Sequence, residues 1–111
     1  DIIKIVKSTD LSSNFKLRDQ IISSSGSVMD NIAEGFERNG NLEFRQFLSI
    51  AKGSCGEVRS QLYRIYDWGY INKDLMEVLT SKCEQLSKQI AGFINYLNKT
   101  ELKGSKFQAK S

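Results

Sequence analysis

The stretch Leu79-Thr80-Ser81-Lys82-Cys83-Glu84-Gln85-Leu86-Ser87-Lys88-Gln89-Ile90-Ala91-Gly92-Phe93-Ile94-Asn95-Tyr96-Leu97 decides the fold. Leu79, Leu86 and Phe93 recur every seven residues, as do Cys83, Ile90 and Leu97. Two interleaved apolar rows at that spacing form the seam of an α-helix packed along another helix. The pattern predicts a helix from about Lys73 to Lys99, with Asn72 as its N-cap. Upstream, Trp68-Gly69 supplies a stop signal, since glycine readily takes the left-handed conformation that ends a helix.

The preceding segment carries Phe44, Phe47, Leu48, Ala51, Cys55, Val58 and Leu62 on one helical face, continuing towards Ile65. Asn39-Gly40 marks its upstream limit, and Asn41 is the expected cap. A further helix is expected from about Lys16 to Arg38, with apolar or small residues at Leu17, Ile21, Ser25, Val28, Ile32 and Phe36. Ser8 to Asn14 reads as a polar connection, and Ile2 to Val6 as the last turns of a helix. No segment alternates strictly with a period of two, and the absence of proline permits long uninterrupted helices. The fold expected is all-α: an up-and-down antiparallel four-helix bundle with a shortened first helix. Residues 1–100 would form its single domain, and 101–111 a basic, flexible C-terminal tail.

Gly26, Gly35, Gly53, Gly56 and Gly92 fall inside these helices, where each costs about 0.5–1 kcal/mol relative to alanine. Close helix–helix approach is the expected reason, centred on Ser23–Ser27 and Gly53–Gly56. Leu42, Ile50 and Met76 lie off the apolar stripes, so they are expected to face outward and to mark an oligomer interface.

The 111 residues carry a net charge of +3, with no histidine and two cysteines. Up to residue 98 the 12 basic and 12 acidic residues cancel, so the excess belongs to the tail, with Lys99, Lys103, Lys106 and Lys110 against Glu101. A neutral body excludes a surface built throughout to coat nucleic acid, while leaving room for a local patch. No apolar run reaches the roughly 20 residues of a membrane span. Cys55 and Cys83 have no metal-type spacing and read as reduced, buried thiols, which suits the cytoplasm.

Without histidine, serine or cysteine nucleophiles lack their commonest base, and only Lys52 and Lys82 lie near the cysteines in sequence. Glu34, Glu43 and Glu57 lack the Glu-x-x-His pairing of di-metal bundles. The expectation is therefore a non-enzymatic protein with neither metal nor cofactor.

Charge patterning is more informative. Arg45, Lys52 and Arg59 recur every seven residues and align on one side of their helix, flanking its apolar face, with Arg38 and Arg64 extending the positive character. Phosphates or an acidic protein are the candidate partners, and pairing with acids of a neighbouring helix is the structural alternative. Tyr63, Tyr66, Trp68 and Tyr70 are expected to close one end of the bundle. Asn31 and Glu34, near the core margin, are expected to join a structural polar network, with Arg18, Arg38 or Arg45 as the partner of Glu34.

Three motifs then carry a family resemblance. Leu17-Arg18-Asp19-Gln20-Ile21, Asn31-Ile32-Ala33-Glu34-Gly35-Phe36-Glu37-Arg38 and Glu43 through Ser54, together with Glu57, Gln61-Leu62 and Gly69-Tyr70-Ile71, resemble the four-helix-bundle family first noted in ribosomal RNA intervening sequences. The resemblance spans most of residues 17–98. Val28-Met29-Asp30 departs from the family's usual Ile-Pro-Ser, removing a kink signal. The resemblance implies a bacterial, cytoplasmic bundle, often a homopentamer, with a first helix longer than the one here, so an N-terminal piece is expected to be missing. A relative, the accessory variability determinant of diversity-generating retroelements, forms a basic-surfaced barrel that binds a reverse transcriptase and nucleic acid. Carried to this chain, RNA or DNA contact would rest on Arg38, Arg45, Lys52 and Arg59. The alternative is a structural or protein-interaction bundle without nucleic-acid affinity.

Overall fold

The computed structural model describes the backbone of residues 2–38 and 40–110, and the side chains of these except 12 and 101–110. Among the described residues the chain forms α1 (Ile2–Ser8), α2 (Phe15–Phe36), α3 (Asn41–Asp67) and α4 (Lys73–Lys110), with a 3₁₀ turn over Asp10–Ser13 and no strand. The fold is thus the expected all-α bundle with a short first helix. Backbone helix in α4 runs past Lys99, where the apolar seam ends; the side chains of the basic tail lie outside the described residues.

Local chemistry sets the boundaries. The Asn14 carboxamide oxygen accepts from the Leu17 amide at 3.3 Å and caps α2. Asn72 does the same for α4, accepting from the Leu75 amide at 2.8 Å. The end of α3 is a Schellman turn: Tyr70 N–H donates to the Ile65 carbonyl at 3.1 Å, Gly69 N–H to Tyr66 at 2.9 Å, and Gly69 has φ +84°. The start of α3 differs from expectation. Gly40, in extended conformation at φ −140°, is the N-cap, and Asn41 is already helical. Asn39 lies outside the described residues. Without proline, α2 runs unbroken through Val28-Met29-Asp30.

The middle helix is α3: its backbone runs close to both α2 and α4, while those two stay apart. It accordingly buries a continuous stripe, with Leu48, Ala51, Cys55, Val58, Leu62 and Ile65 all in the core. Leu17, Ile21 and Val28 meet it from α2. Leu11, fully buried, plugs the end of the core beneath α1.

The two rows of the α4 seam are not buried equally. Ile90 and Leu97 are buried as expected, but Leu79, Cys83 and Leu86 are only half-buried and Phe93 is 37% exposed. Met76 is buried at 7%, not outward, with Thr80 one turn on. A helix supported mainly by α3 buries one narrow row, here Met76–Cys83–Ile90–Leu97, and the flanking row tilts towards solvent. Thr80 tolerates burial because its hydroxyl donates to the Met76 carbonyl at 2.9 Å. Phe36, the last position of the α2 stripe, is 68% exposed, since α2 ends there; its ring lies tilted against Phe44 with centroids 4.9 Å apart.

Among the described residues, Gly35 alone of the helical glycines stands at a close approach. A Cβ there would lie 2.8 Å from Phe44 Cδ1 and 3.2 Å from Phe47 Cβ. Gly26, Gly53, Gly56 and Gly92 have nothing within 4 Å of that position, which corrects the expectation of tight packing through them. Serines bring α2 and α3 together instead. Ser27 and Ser54 hydroxyls meet at 2.9 Å, and Ser24 donates to Glu57 at 3.3 Å while accepting from Gln61 at 3.0 Å. Asn31 joins this network by donating to the Ser27 carbonyl at 2.8 Å.

Candidate nucleic-acid interface

Seven residues advance an α-helix by nearly two turns, so Arg45, Lys52 and Arg59 stand in a row along α3. The structure places that row on the flank facing α4. Arg45 Nη1 donates to the Asn98 side chain of α4, and Arg45 Nε to the Asn41 carbonyl at 3.1 Å. Arg59 Nε pairs with Glu84 Oε1 of α4 at 3.3 Å, both side chains half-exposed. Two arginines thus tie the antiparallel helices together at positions two turns either side of Lys52. The half-exposed Arg59–Glu84 ion pair is solvent-screened and worth about 0–1 kcal/mol.

Lys52 differs. It lines a groove between α3 and α4 whose two hollows measure about 510 and 500 Å³. Lys88 and Ser87 of α4 form the facing wall, and Gly53 and Gly56 form part of the floor. Among the described residues neither Lys52 nor Lys88 has an ion-pair or hydrogen-bond partner. The groove therefore carries uncompensated positive charge at its centre and neutralised charge at the Arg59–Glu84 end.

Arg38 stands apart from this row. Its guanidinium pairs with Glu34 at 3.1 Å, approaches Glu43 at 4.0 Å and lies over the Phe47 ring at 5.2 Å. Those contacts tie α2 to α3 and spend the charge of Arg38 on carboxylates. Arg64 also turns away, donating to Gln20 of α2 at 3.4 Å. Arg18, Asn31 and Glu34 do not gather at one place. Arg18 pairs with Asp19 at 3.0 Å and covers Phe15, Glu34 is held by Arg38, and Asn31 sits in the serine network. The three glutamates weighed as metal ligands also separate, Glu57 bonding Ser24 while Glu34 and Glu43 flank Arg38.

Cys55 and Cys83 are free thiols beside the groove, Cys55 buried and Cys83 half-buried. Burial pushes both up from the ordinary thiol value of 9.0. For Cys83 the nearby Cys55 adds to the rise and Arg59 opposes it. Both therefore stay protonated and poorly nucleophilic at neutral pH.

The aromatic end divides. Tyr66 and Tyr70 pack against the core, and Tyr70 Oη accepts from Asn14 at 3.3 Å. Trp68 is 66% exposed and Tyr63 41%, so these two do not close the bundle. Sequence reasoning missed Lys88. Its sequence signal is faint, because only the antiparallel register of α3 and α4 brings it opposite Lys52.

Three long helices with a short fourth, held by serine contacts and a cationic seam, define a small all-α helical bundle without a recognisable catalytic constellation among the described residues. The match to the family model of the 23S rRNA-intervening sequence protein covers residues 1–92, and the chain belongs to that family. A crystal structure of a protein of unknown function from the S23 ribosomal protein family of Bacteroides thetaiotaomicron is similar, with a TM-score of 0.72 at 22% identity over 84% of this chain and 90% of that one. At that identity the likeness speaks for the fold. No curated protein matches the chain.

Proposed function

We propose that this chain is a non-enzymatic, oligomeric helical-bundle adaptor of the bacterial cytoplasm that associates with RNA, DNA or a nucleic-acid enzyme through the basic surface of α3. The observation that carries this reading is the exposed Lys52 at the centre of the Arg45–Lys52–Arg59 row, facing Lys88, both without a partner among the described residues. Lysines without internal partners remain available to neutralise phosphates. The family's name, which refers to a 23S rRNA intervening sequence, is consistent with it.

Assembly would multiply the contact. Leu42 and Ile50 are exposed at 60% and 52%, as an interface between copies requires. A ring, pentameric by the family resemblance, would repeat the α3 row by symmetry and convert weak single contacts into avidity. Light scattering would then give a multiple of the 12.6 kDa chain mass, and a monomer at micromolar concentration would refute assembly.

The second reading, a structural bundle without nucleic-acid affinity, draws support from the pairing of Arg38 and Arg59 with carboxylates. Filter binding at two salt concentrations separates the two. The adaptor reading expects salt-sensitive retention of nucleic acid that falls in Lys52→Glu, a change that breaks no internal pair, and further in the Arg45/Lys52/Arg59 charge reversal. No retention at low salt sinks it.

A further inference from the structure

Past Arg59 the groove between α3 and α4 gives on to a third hollow of about 230 Å³, lined by Gly56, Arg59, Ser60 and Tyr63 of α3 alone, so the line of depressions runs from Ser49 to Tyr63 along α3. At 1.5 Å per residue that is a trough roughly 21 Å long. Three features coincide along it. Lys52 and Lys88 face it from opposite walls, with no ion-pair or hydrogen-bond partner among the described residues. Its floor at Gly53 and Gly56 is open, with nothing within 4 Å of where a side chain would begin. Its far end carries the 41% exposed Tyr63 ring beside Arg59.

We infer that this groove seats a single-stranded nucleic acid, with Lys52 and Lys88 meeting its phosphates and Tyr63 stacking on one of its bases. The inference rests on the adaptor reading above and deepens it by naming the ligand's form and the α4 half of its seat. A cationic trough that tracks a backbone, joined to an aromatic face, is the combination single strands require. The missing side chains at Gly53 and Gly56 let a sugar–phosphate chain approach the helix backbone. A duplex keeps its bases stacked on one another and offers Tyr63 no free face. The trough's length suits a short run of nucleotides, at the lower end of the roughly 4–16 typical of one single-strand-binding module.

The test is fluorescence anisotropy of a labelled oligouridylate of roughly 12 nucleotides and of an RNA duplex of equal length, across a salt series. The wild-type chain is expected to prefer the single strand. Lys52→Ala and Lys88→Ala should each weaken binding and reduce the slope of log K against log salt by about 0.7, the value for one phosphate on a single strand. Tyr63→Ala should weaken binding about tenfold while leaving the slope unchanged. Gly56→Leu, which fills the floor without altering charge, should also weaken binding, and circular dichroism checks that every variant is folded. Preference for the duplex, or single-strand binding that survives all four substitutions in folded protein, overturns the groove assignment while the adaptor reading stands. Absence of binding to either nucleic acid at low salt overturns both.

Discussion

Replacing Gly35 with alanine tests the packing of α2 on α3 through a single added carbon. That carbon would stand 2.8 Å from Phe44 Cδ1 and 3.2 Å from Phe47 Cβ. The first is closer than carbon atoms tolerate and the second is tight, and Phe47 Cβ is fixed to the α3 backbone, so the Phe44 ring must turn and the helices must give by a few tenths of an ångström. Overpacking of this kind costs about 1–3 kcal/mol. Alanine returns about 0.5–1 kcal/mol through its better helix propensity. The net expectation is a loss of about 1 kcal/mol, or a fall of roughly 4 °C in melting temperature for a domain of this size. Gly26 supplies the control, because it lies in the same helix with nothing within 4 Å of the added carbon. There the propensity term acts alone, and Gly26→Ala should stabilise by about 0.5–1 kcal/mol. Urea unfolding followed by circular dichroism, at one fixed protein concentration because assembly would shift the midpoint, reads both. The opposite signs are the test. If Gly35→Ala unfolds at or above the wild-type midpoint, the contact with Phe44 and Phe47 does not limit this interface.

Other expectations follow from the helix ends and the thiols. Gly69→Ala forces a side chain into φ +84°, so it should lower stability by about 1 kcal/mol or more in the same urea assay. Asn72→Ala removes the oxygen that caps the Leu75 amide and should cost about 1 kcal/mol. Because burial raises Cys55 and Cys83 above 9.0, the folded chain holds protons that the unfolded chain releases. Their contribution to stability is therefore complete below about pH 9 and declines as pH rises beyond it, so the difference in urea midpoint between pH 8 and pH 10 should shrink in a Cys55→Ala/Cys83→Ala chain. At neutral pH a thiol-reactive dye should label both cysteines slowly in the native state and fast in urea. Fast native labelling of Cys55 would contradict its burial.

Helix identity and helix ends were legible because they are local. The seven-residue spacing in α4 and the Asn72 and Gly69 signals need only neighbouring residues to act. What escaped depends on which helix lies against which face. The two α4 rows look equivalent in the sequence, but the Cys83–Ile90–Leu97 row, which Met76 extends by seven residues, is the one turned to α3, so Met76 is buried while Leu79, Leu86 and Phe93 tilt outward. The glycines mislead for a related reason. A missing side chain signals either close approach or open space, and among the described helical glycines only Gly35 has the neighbouring helix near it. In the candidate site, the heptad spacing of Arg45, Lys52 and Arg59 correctly placed one row along one flank. It could not show that two of the three would be tied to α4, nor that Lys88 would face the third. Arg38 joined that set by proximity in sequence, whereas its nearest charges are Glu34 and Glu43 at the α2–α3 connection.

The most direct measurement is lysine-reactivity footprinting of the whole chain by mass spectrometry, with and without saturating single-stranded oligonucleotide at low salt. Lys52 and Lys88 line the groove, whereas Lys16 near the start of α2 and Lys73 at the start of α4 lie away from it. Contact through the α3 surface predicts that Lys52 and Lys88 lose reactivity while Lys16 and Lys73 keep theirs. Unchanged reactivity at Lys52 under conditions where the oligonucleotide is bound would contradict it.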